Sequence, residues 1–358
     1  MNKITAALEA LTQKRASFKI MEFCGGHTHS LVNSGLMSLL PKAIRMIHGP
    51  GCPVCVLPAH HIQAVIDLLE KTSNLTVCVY GDLLRIPTLR GDSLLTAQSR
   101  GKSVKMVYSP LEVLRLAEAD PQKEFLFMAI GFETSAPATA TLLTNAKARK
   151  LKNLSVLCLH VLTPPAIAGV MEALDEEQRP HALIAPGHVS IVTGLEVYRE
   201  FSERYRIPIV ASGFEGSDIW ESIQIACECL IKKEYGVFNQ YTRALPASGN
   251  LRAQKLLEEV FEVRPVFVWR GLGEVKNSAL TLRDTWAPWD AERRFQLQYR
   301  DVPEHPGCRC GSILRGQNSP PDCRLFMRAC TPRRPLGSCM VSSEGACHAY
   351  FLLNGGIQ

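Results

Sequence analysis

The sequence predicts an α/β protein: two doubly wound parallel-sheet domains followed by a small, cysteine-rich C-terminal domain. Three observations lead there. Apolar, β-branched runs recur at residues 75–80, 104–108, 124–130, 154–160, 182–185 and 207–211. Helical periodicity follows several of them, at 111–119, 138–150, 166–175, 193–205 and 217–233. Continuous apolar strands alternating with helices belong to parallel sheet covered on both faces. From about residue 300 that rhythm gives way to Cys, Pro and Gly.

Taken in order, residues 4–12 (Ile4, Ala7, Leu8, Leu11) read as a short amphipathic helix ahead of the strand–helix repeats. The expected division is 1–120 for a first α/β domain carrying thiol loops, 121–240 for a second, and 241–358 for the C-terminal domain. In the last, a helix at 251–262 leads to the apolar stretch 265–269 and then to Trp/Pro-rich chain. The triplet Gly-Phe-Glu occurs at 131–133 and again at 213–215, each time at a strand exit, which is weak evidence for related half-units.

A chain of 358 residues is long enough for two or three domains with a well-buried core. With 46% hydrophobic and 21% charged residues the composition is that of a soluble protein. The net charge of +6 reads as mild and unclustered, with no long Lys/Arg run, so nucleic acid is not an expected partner. No apolar stretch or signal pattern points to a membrane, and the expected location is the cytoplasm. In a reducing compartment the thirteen cysteines are more often metal ligands or redox groups than structural disulfides.

Four of them, Cys323, Cys330, Cys339 and Cys347, are separated by six, eight and seven residues in a Pro/Gly-rich tail with few apolar neighbours. Four thiolates can ligate a [4Fe–4S] cluster or structural zinc. Zinc usually takes close Cys-x2–4-Cys pairs, so these wider spacings favour iron–sulfur and make this an expected iron–sulfur domain. Cys308 and Cys310 lie just upstream and rank second as ligands, outside the compact four.

Two further thiol motifs lie near the N-terminus: Cys24-Gly-Gly-His27-Thr-His29 and Gly-Pro-Gly-Cys52-Pro-Val-Cys55. Flanking glycines permit tight turns and close backbone approach. The Cys-x-x-Cys spacing lets two thiols form a disulfide. Cys24 beside His27 and His29 reads as a soft metal ligand with imidazoles around it, or as a nucleophile with an adjacent base. Glu133, His188 and Glu215 sit at strand exits, where open parallel sheets bind ligands. Cys78, Cys158, Cys227 and Cys229 fall in apolar patterns and read as buried small hydrophobes.

These motifs in this order, together with Trp-Arg-Gly-Leu-Gly (269–273) and Gly-Ser-Cys-Met-Val-Ser-Ser-Glu-Gly-Ala-Cys (337–347), resemble the HypD family of [NiFe]-hydrogenase maturation proteins nearly end to end. The resemblance implies a redox-active scaffold on which the Fe(CN)2CO group is assembled with a HypC-type chaperone and a HypE-type cyanide donor, HypF acting upstream. It implies that Cys24 holds iron jointly with a HypC cysteine, that Cys52 and Cys55 are the redox-active pair, and that Cys323, Cys330, Cys339 and Cys347 ligate the [4Fe–4S] cluster. In that setting His27 and His29 would bond cyanide nitrogen or orient the thiolate. The pairing of cluster and dithiol also resembles ferredoxin:thioredoxin reductase, which keeps a stand-alone thiol-disulfide oxidoreductase as the alternative. Ser135 and Ser338 stand where Thr and Ala are usual, and the ending 350–358 matches no pattern.

Overall fold

The computed structural model describes residues 2–12, 17–88 and 91–355. Two all-parallel sheets organise the chain. The first holds β1 (Phe18–Glu22), β2 (Ile44–His48), β7 (Ala182–Pro186), β8 (Pro208–Ser212) and β9 (Gly236–Asn239), in the order β2-β1-β7-β8-β9. The second holds β3 (Leu75–Val79), β4 (Val104–Met106), β5 (Glu124–Gly131) and β6 (Leu154–His160), in the order β4-β3-β5-β6. Strands β3 and β6 are buried along their whole length, as expected for sheet covered on both faces.

The sheets divide the chain differently from the contiguous blocks expected at 120 and 240. Residues 18–48 pair with strands from 182–239, and the chain between them builds the second sheet. In both sheets the strand order reverses once, between β1 and β7 and between β3 and β5. Such reversals open a crevice at the carboxyl ends of the strands.

Helix 193–205 of the sequence reading is in fact interrupted. Gly194 takes φ +80°, ending the helix Gly187–Thr193, and a second helix, Arg199–Tyr205, follows. A left-handed residue stops the helical ladder at once. The apolar stretch near 265 becomes half of an antiparallel hairpin, β10 (Phe261–Trp269) with β11 (Gly273–Leu282). Its register shifts between Arg264 and Val266, around Pro265, which lacks the N–H a ladder needs.

The hairpin turn fastens the C-terminal lobe to the rest. The Arg270 amide donates to the Val56 carbonyl (2.7 Å), its side chain to the Leu57 carbonyl (3.1 Å), and its guanidinium reaches Glu304 at 3.3 Å. Gly271, at φ +83°, lies against Gly311, where a Cβ would come within 2.6 Å of the Gly311 Cα. Gly273 has φ +74° in open space. Gly271→Ala should therefore lower stability by about 2–3 kcal/mol, and Gly273→Ala by only about 1 kcal/mol, in denaturant unfolding. Equal losses would show that the Gly271–Gly311 approach carries no weight.

Candidate functional site

Four neighbouring strands of the first sheet deliver side chains to one mouth. Cys24 follows β1, Cys52 follows β2, His188 follows β7 and Phe214 follows β8. Cys24 is the N-cap of the helix Gly25–Asn33, and its amide donates to Glu22 Oε2 at 2.8 Å. The Glu22 carboxylate is itself buried; it also binds the Thr28 hydroxyl and, at 2.7 Å, His48 Nδ1. A charge this enclosed is tolerable only because its oxygens are occupied.

Three sequence motifs meet at this thiol. A Cβ on Gly51 would collide with the backbone of Phe23 and Cys24, and the Gly25 amide donates to the Gly51 carbonyl at 3.3 Å. A Cβ on Gly25 would collide with Glu344 of the C-terminal lobe. Cys52 and Cys55 are joined as a disulfide across a Cα separation of 5.2 Å, at the start of the helix Pro53–Val56. From the lobe, Ser338 donates to the Cys55 carbonyl at 3.0 Å, a bond an alanine there could not make.

The imidazole beside Cys24 is that of His188, with Nδ1 3.9 Å from the sulfur. His27 turns its Nε2 toward the Ser212 carbonyl at 3.4 Å and stacks on Phe214 with centroids 4.9 Å apart. A carbonyl only accepts, so Nε2 carries the proton and the buried, unpartnered Nδ1 presents a lone pair. His29, on the outer face of the same helix, is exposed and accepts from the Asn33 amide at 2.7 Å. Burial pushes the Cys24 thiol well above its usual value, with Glu344 and Glu22 adding to the effect. Burial likewise lowers His27 to about 3 and His188 to about 4, so both rings are neutral near pH 7.

The other strand-exit acids lie elsewhere. Glu133, buried at the exit of β5, accepts from the Thr163 amide (2.7 Å) and hydroxyl (2.9 Å). Glu215 is exposed and caps the helix Gly216–Lys232. The sequence marks Phe214 only as part of the second Gly-Phe-Glu triplet; that its ring rests on both His27 and His188 has no local signal. Cys78, Cys158 and Cys227 are buried in apolar clusters as expected, and Cys229 is buried outside them.

In the C-terminal lobe Cys308, Cys310, Cys323, Cys330 and Cys347 line a small, partly open cavity, together with Ile313, Leu325, Phe326 and Met340. The Cys310 amide donates to the Cys308 sulfur at 3.5 Å, and the Cys310 thiol lies within the electrostatic reach of Cys308, Cys339 and Cys347. All four cysteines of the compact quartet are thus drawn to one place, with Cys308 and Cys310 among them. Gly337 makes the room: a Cβ there would come within 2.7 Å of the Cys310 sulfur. Among the described residues no His, Cys, Asp and Glu side chains are grouped to hold a single metal ion. By its chemistry the donor set, buried soft sulfurs round one cavity, fits a thiolate-bound metal centre.

Fold and site together define an α/β thiol protein in which a lone buried cysteine, a disulfide and a cysteine-lined cavity adjoin one sheet mouth. Residues 1–354 match the HypD family, described as "Hydrogenase formation hypA family". The chain is 47% identical over 356 residues to the hydrogenase maturation factor HypD of Cupriavidus necator, covering 98% of this chain and 93% of that one. It is 45% identical over 352 residues to its counterpart from Azotobacter vinelandii, with coverages of 98% and 93%. For the Escherichia coli counterpart the identity is 40% over 333 residues, with coverages of 93% and 88%. The chain belongs to the HypD family. Among the described residues no helix is long and apolar enough to cross a membrane.

Desolvation raises Glu133 from 4.5 to about 7, against the opposing bonds from Thr163. The folded state therefore holds more protons than the unfolded one between those values, and stability falls as pH rises through that window. A glutamine fits both Thr163 contacts without charge. Relative to wild type, Glu133→Gln should gain on the order of 3 kcal/mol between pH 4.5 and 7 in urea unfolding. Parallel pH profiles for the two proteins would refute this.

Proposed function

We propose that this chain is a cytoplasmic, redox-active scaffold of hydrogenase maturation, on which the Fe(CN)2CO fragment is assembled with a HypC-type chaperone and a HypE-type cyanide donor, HypF supplying the latter. The observation that carries this reading is the backbone contact that sets the lone Cys24 beside the Cys52–Cys55 disulfide under the cysteine lobe. A simple thiol reductase needs the pair but not the lone thiol.

Cys24 is the anchor for the iron fragment. Its sulfur is held protonated by burial, so iron replaces that proton, and binding strengthens as pH rises. Soft thiolate suits low-spin iron. A Cβ on Gly26 would stand 3.5 Å from the Cys24 sulfur and 3.2 Å from Phe214, so its absence keeps space open for diatomic ligands. The imidazole next to the sulfur is that of His188; His27 offers an acceptor and supports Phe214, and His29 faces outward, free to meet a partner.

Cys52 and Cys55 form the two-electron couple: with two electrons and two protons their S–S bond opens to two thiols. Cys323, Cys330, Cys339 and Cys347 would hold a [4Fe–4S] cluster, which supplies one-electron chemistry when bound. Ser338 ties the backbone of the disulfide to that lobe.

The test is infrared and absorption spectroscopy on protein purified anaerobically with its chaperone. Cys24→Ala should lose the cyanide and carbonyl stretching bands while keeping iron–sulfur absorption, and Cys339→Ala should lose the absorption. Bands that survive in Cys24→Ala would remove the anchor. Wild-type complex without bands would favour the stand-alone oxidoreductase.

A further inference from the structure

One segment of the cysteine lobe concentrates positive charge. Residues 305–337 hold six arginines, Arg309, Arg315, Arg324, Arg328, Arg333 and Arg334, against a single acid, Asp322. That is five of the six net charges of the chain. The even spread expected from the sequence holds only for the rest of the molecule.

The backbone of this segment sorts its side chains. Tight turns are fixed by the Phe326 amide on the Cys323 carbonyl (3.0 Å), Cys330 on Leu325 (2.9 Å) and Arg334 on Thr331 (3.0 Å). Cys323, Leu325, Phe326 and Cys330 face the cavity, whereas Arg324, Met327, Arg328 and Arg334 are exposed. Arg309, Arg324, Arg328 and Arg334 enter none of the ion pairs found among the described residues. The rim continues onto the edge strand β2. The Ser319 amide and hydroxyl, and then the guanidinium groups of Arg45 and Arg309, hold the Asp322 carboxyl below its usual range.

Unpaired like charges repel and weaken the compact state, and they draw oppositely charged partners at rates that fall with salt. An exposed methionine, Met327, lies between the exposed Arg324 and Arg328, and basic residues around an apolar side chain suit the short-lived contacts of electron-transfer proteins better than a polyanion. The Cys52–Cys55 disulfide, to which Ser338 of the same lobe is hydrogen-bonded, needs electrons from outside the chain.

We propose that this arginine rim is the docking site of a small acidic one-electron carrier protein that reduces the Cys52–Cys55 disulfide. Two carrier molecules each lose one electron, the S–S bond breaks, and two protons from water complete the two thiols. The inference rests on reading Cys52 and Cys55 as the redox pair.

The experiment uses the full chain, purified anaerobically, with reduced plant-type ferredoxin as the acidic carrier and dithiothreitol as a neutral reductant. Binding is followed against ionic strength, and disulfide reduction by thiol trapping and mass spectrometry. Arg324→Glu/Arg328→Glu should slow ferredoxin-driven reduction at least about tenfold at low salt and flatten its salt dependence. Dithiothreitol-driven reduction should not change, and Arg324→Gln/Arg328→Gln should fall between, which guards against a misfolded reversal variant. Unchanged ferredoxin binding and rate in both variants would overturn the proposal. So would tighter binding of a short single-stranded RNA than of ferredoxin. Salt-dependent ferredoxin binding without any reduction in wild type would support the dock while removing the redox reading of the pair.

Discussion

The close approach of Gly51 to the backbone of Phe23 and Cys24 is the constraint on which the site depends. Strands β1 and β2 lie side by side, so their exits run together, and the Gly49 amide continues the pairing by donating to the Glu22 carbonyl at 2.8 Å. Any side chain at Gly51 would push the two exits apart. Because none is present, the loop bearing the disulfide lies on the loop bearing the lone thiol. The cysteine lobe then closes over both, through Glu344 on Gly25 and Ser338 on Cys55.

Electrostatics complete what packing begins. The buried Glu22 carboxylate orients the Cys24 amide, Thr28 and His48, so the first turn of the helix Gly25–Asn33 is fixed around a single acid. Burial keeps the thiol protonated and its neighbouring imidazoles neutral. Apart from the Glu22 carboxylate, the pocket thus carries little charge of its own, in contrast to the cationic rim of the lobe.

The strands at 75–80, 124–130 and 154–160 were legible because they are continuous apolar runs buried on both faces. Strands β1 and β2 were not, since Lys19, Glu22 and Arg45 interrupt them. Yet Glu22 is the acid on which the site turns, and an isolated carboxylate in an apolar run is what a buried hub looks like in sequence. The hairpin β10–β11 was hidden by Pro265, and Gly194 broke a helix whose periodicity looked unbroken. Glycine-flanked thiol motifs located Cys24 and Cys52, and a strand-exit loop located His188, but which of them adjoin depends on the order β2-β1-β7-β8, which no local pattern encodes. His29 looked equivalent to His27 in sequence; the helix that carries both turns one inward and the other to solvent.

The most direct measurement is made on Gly51→Ala. Its backbone geometry admits alanine, so the added methyl tests only the contact with Phe23 and Cys24. If that contact sets lone thiol and disulfide together, the variant complex will lose the proposed cyanide and carbonyl infrared bands while the proposed iron–sulfur absorption of the C-terminal lobe persists. Full-intensity bands in Gly51→Ala would contradict the account.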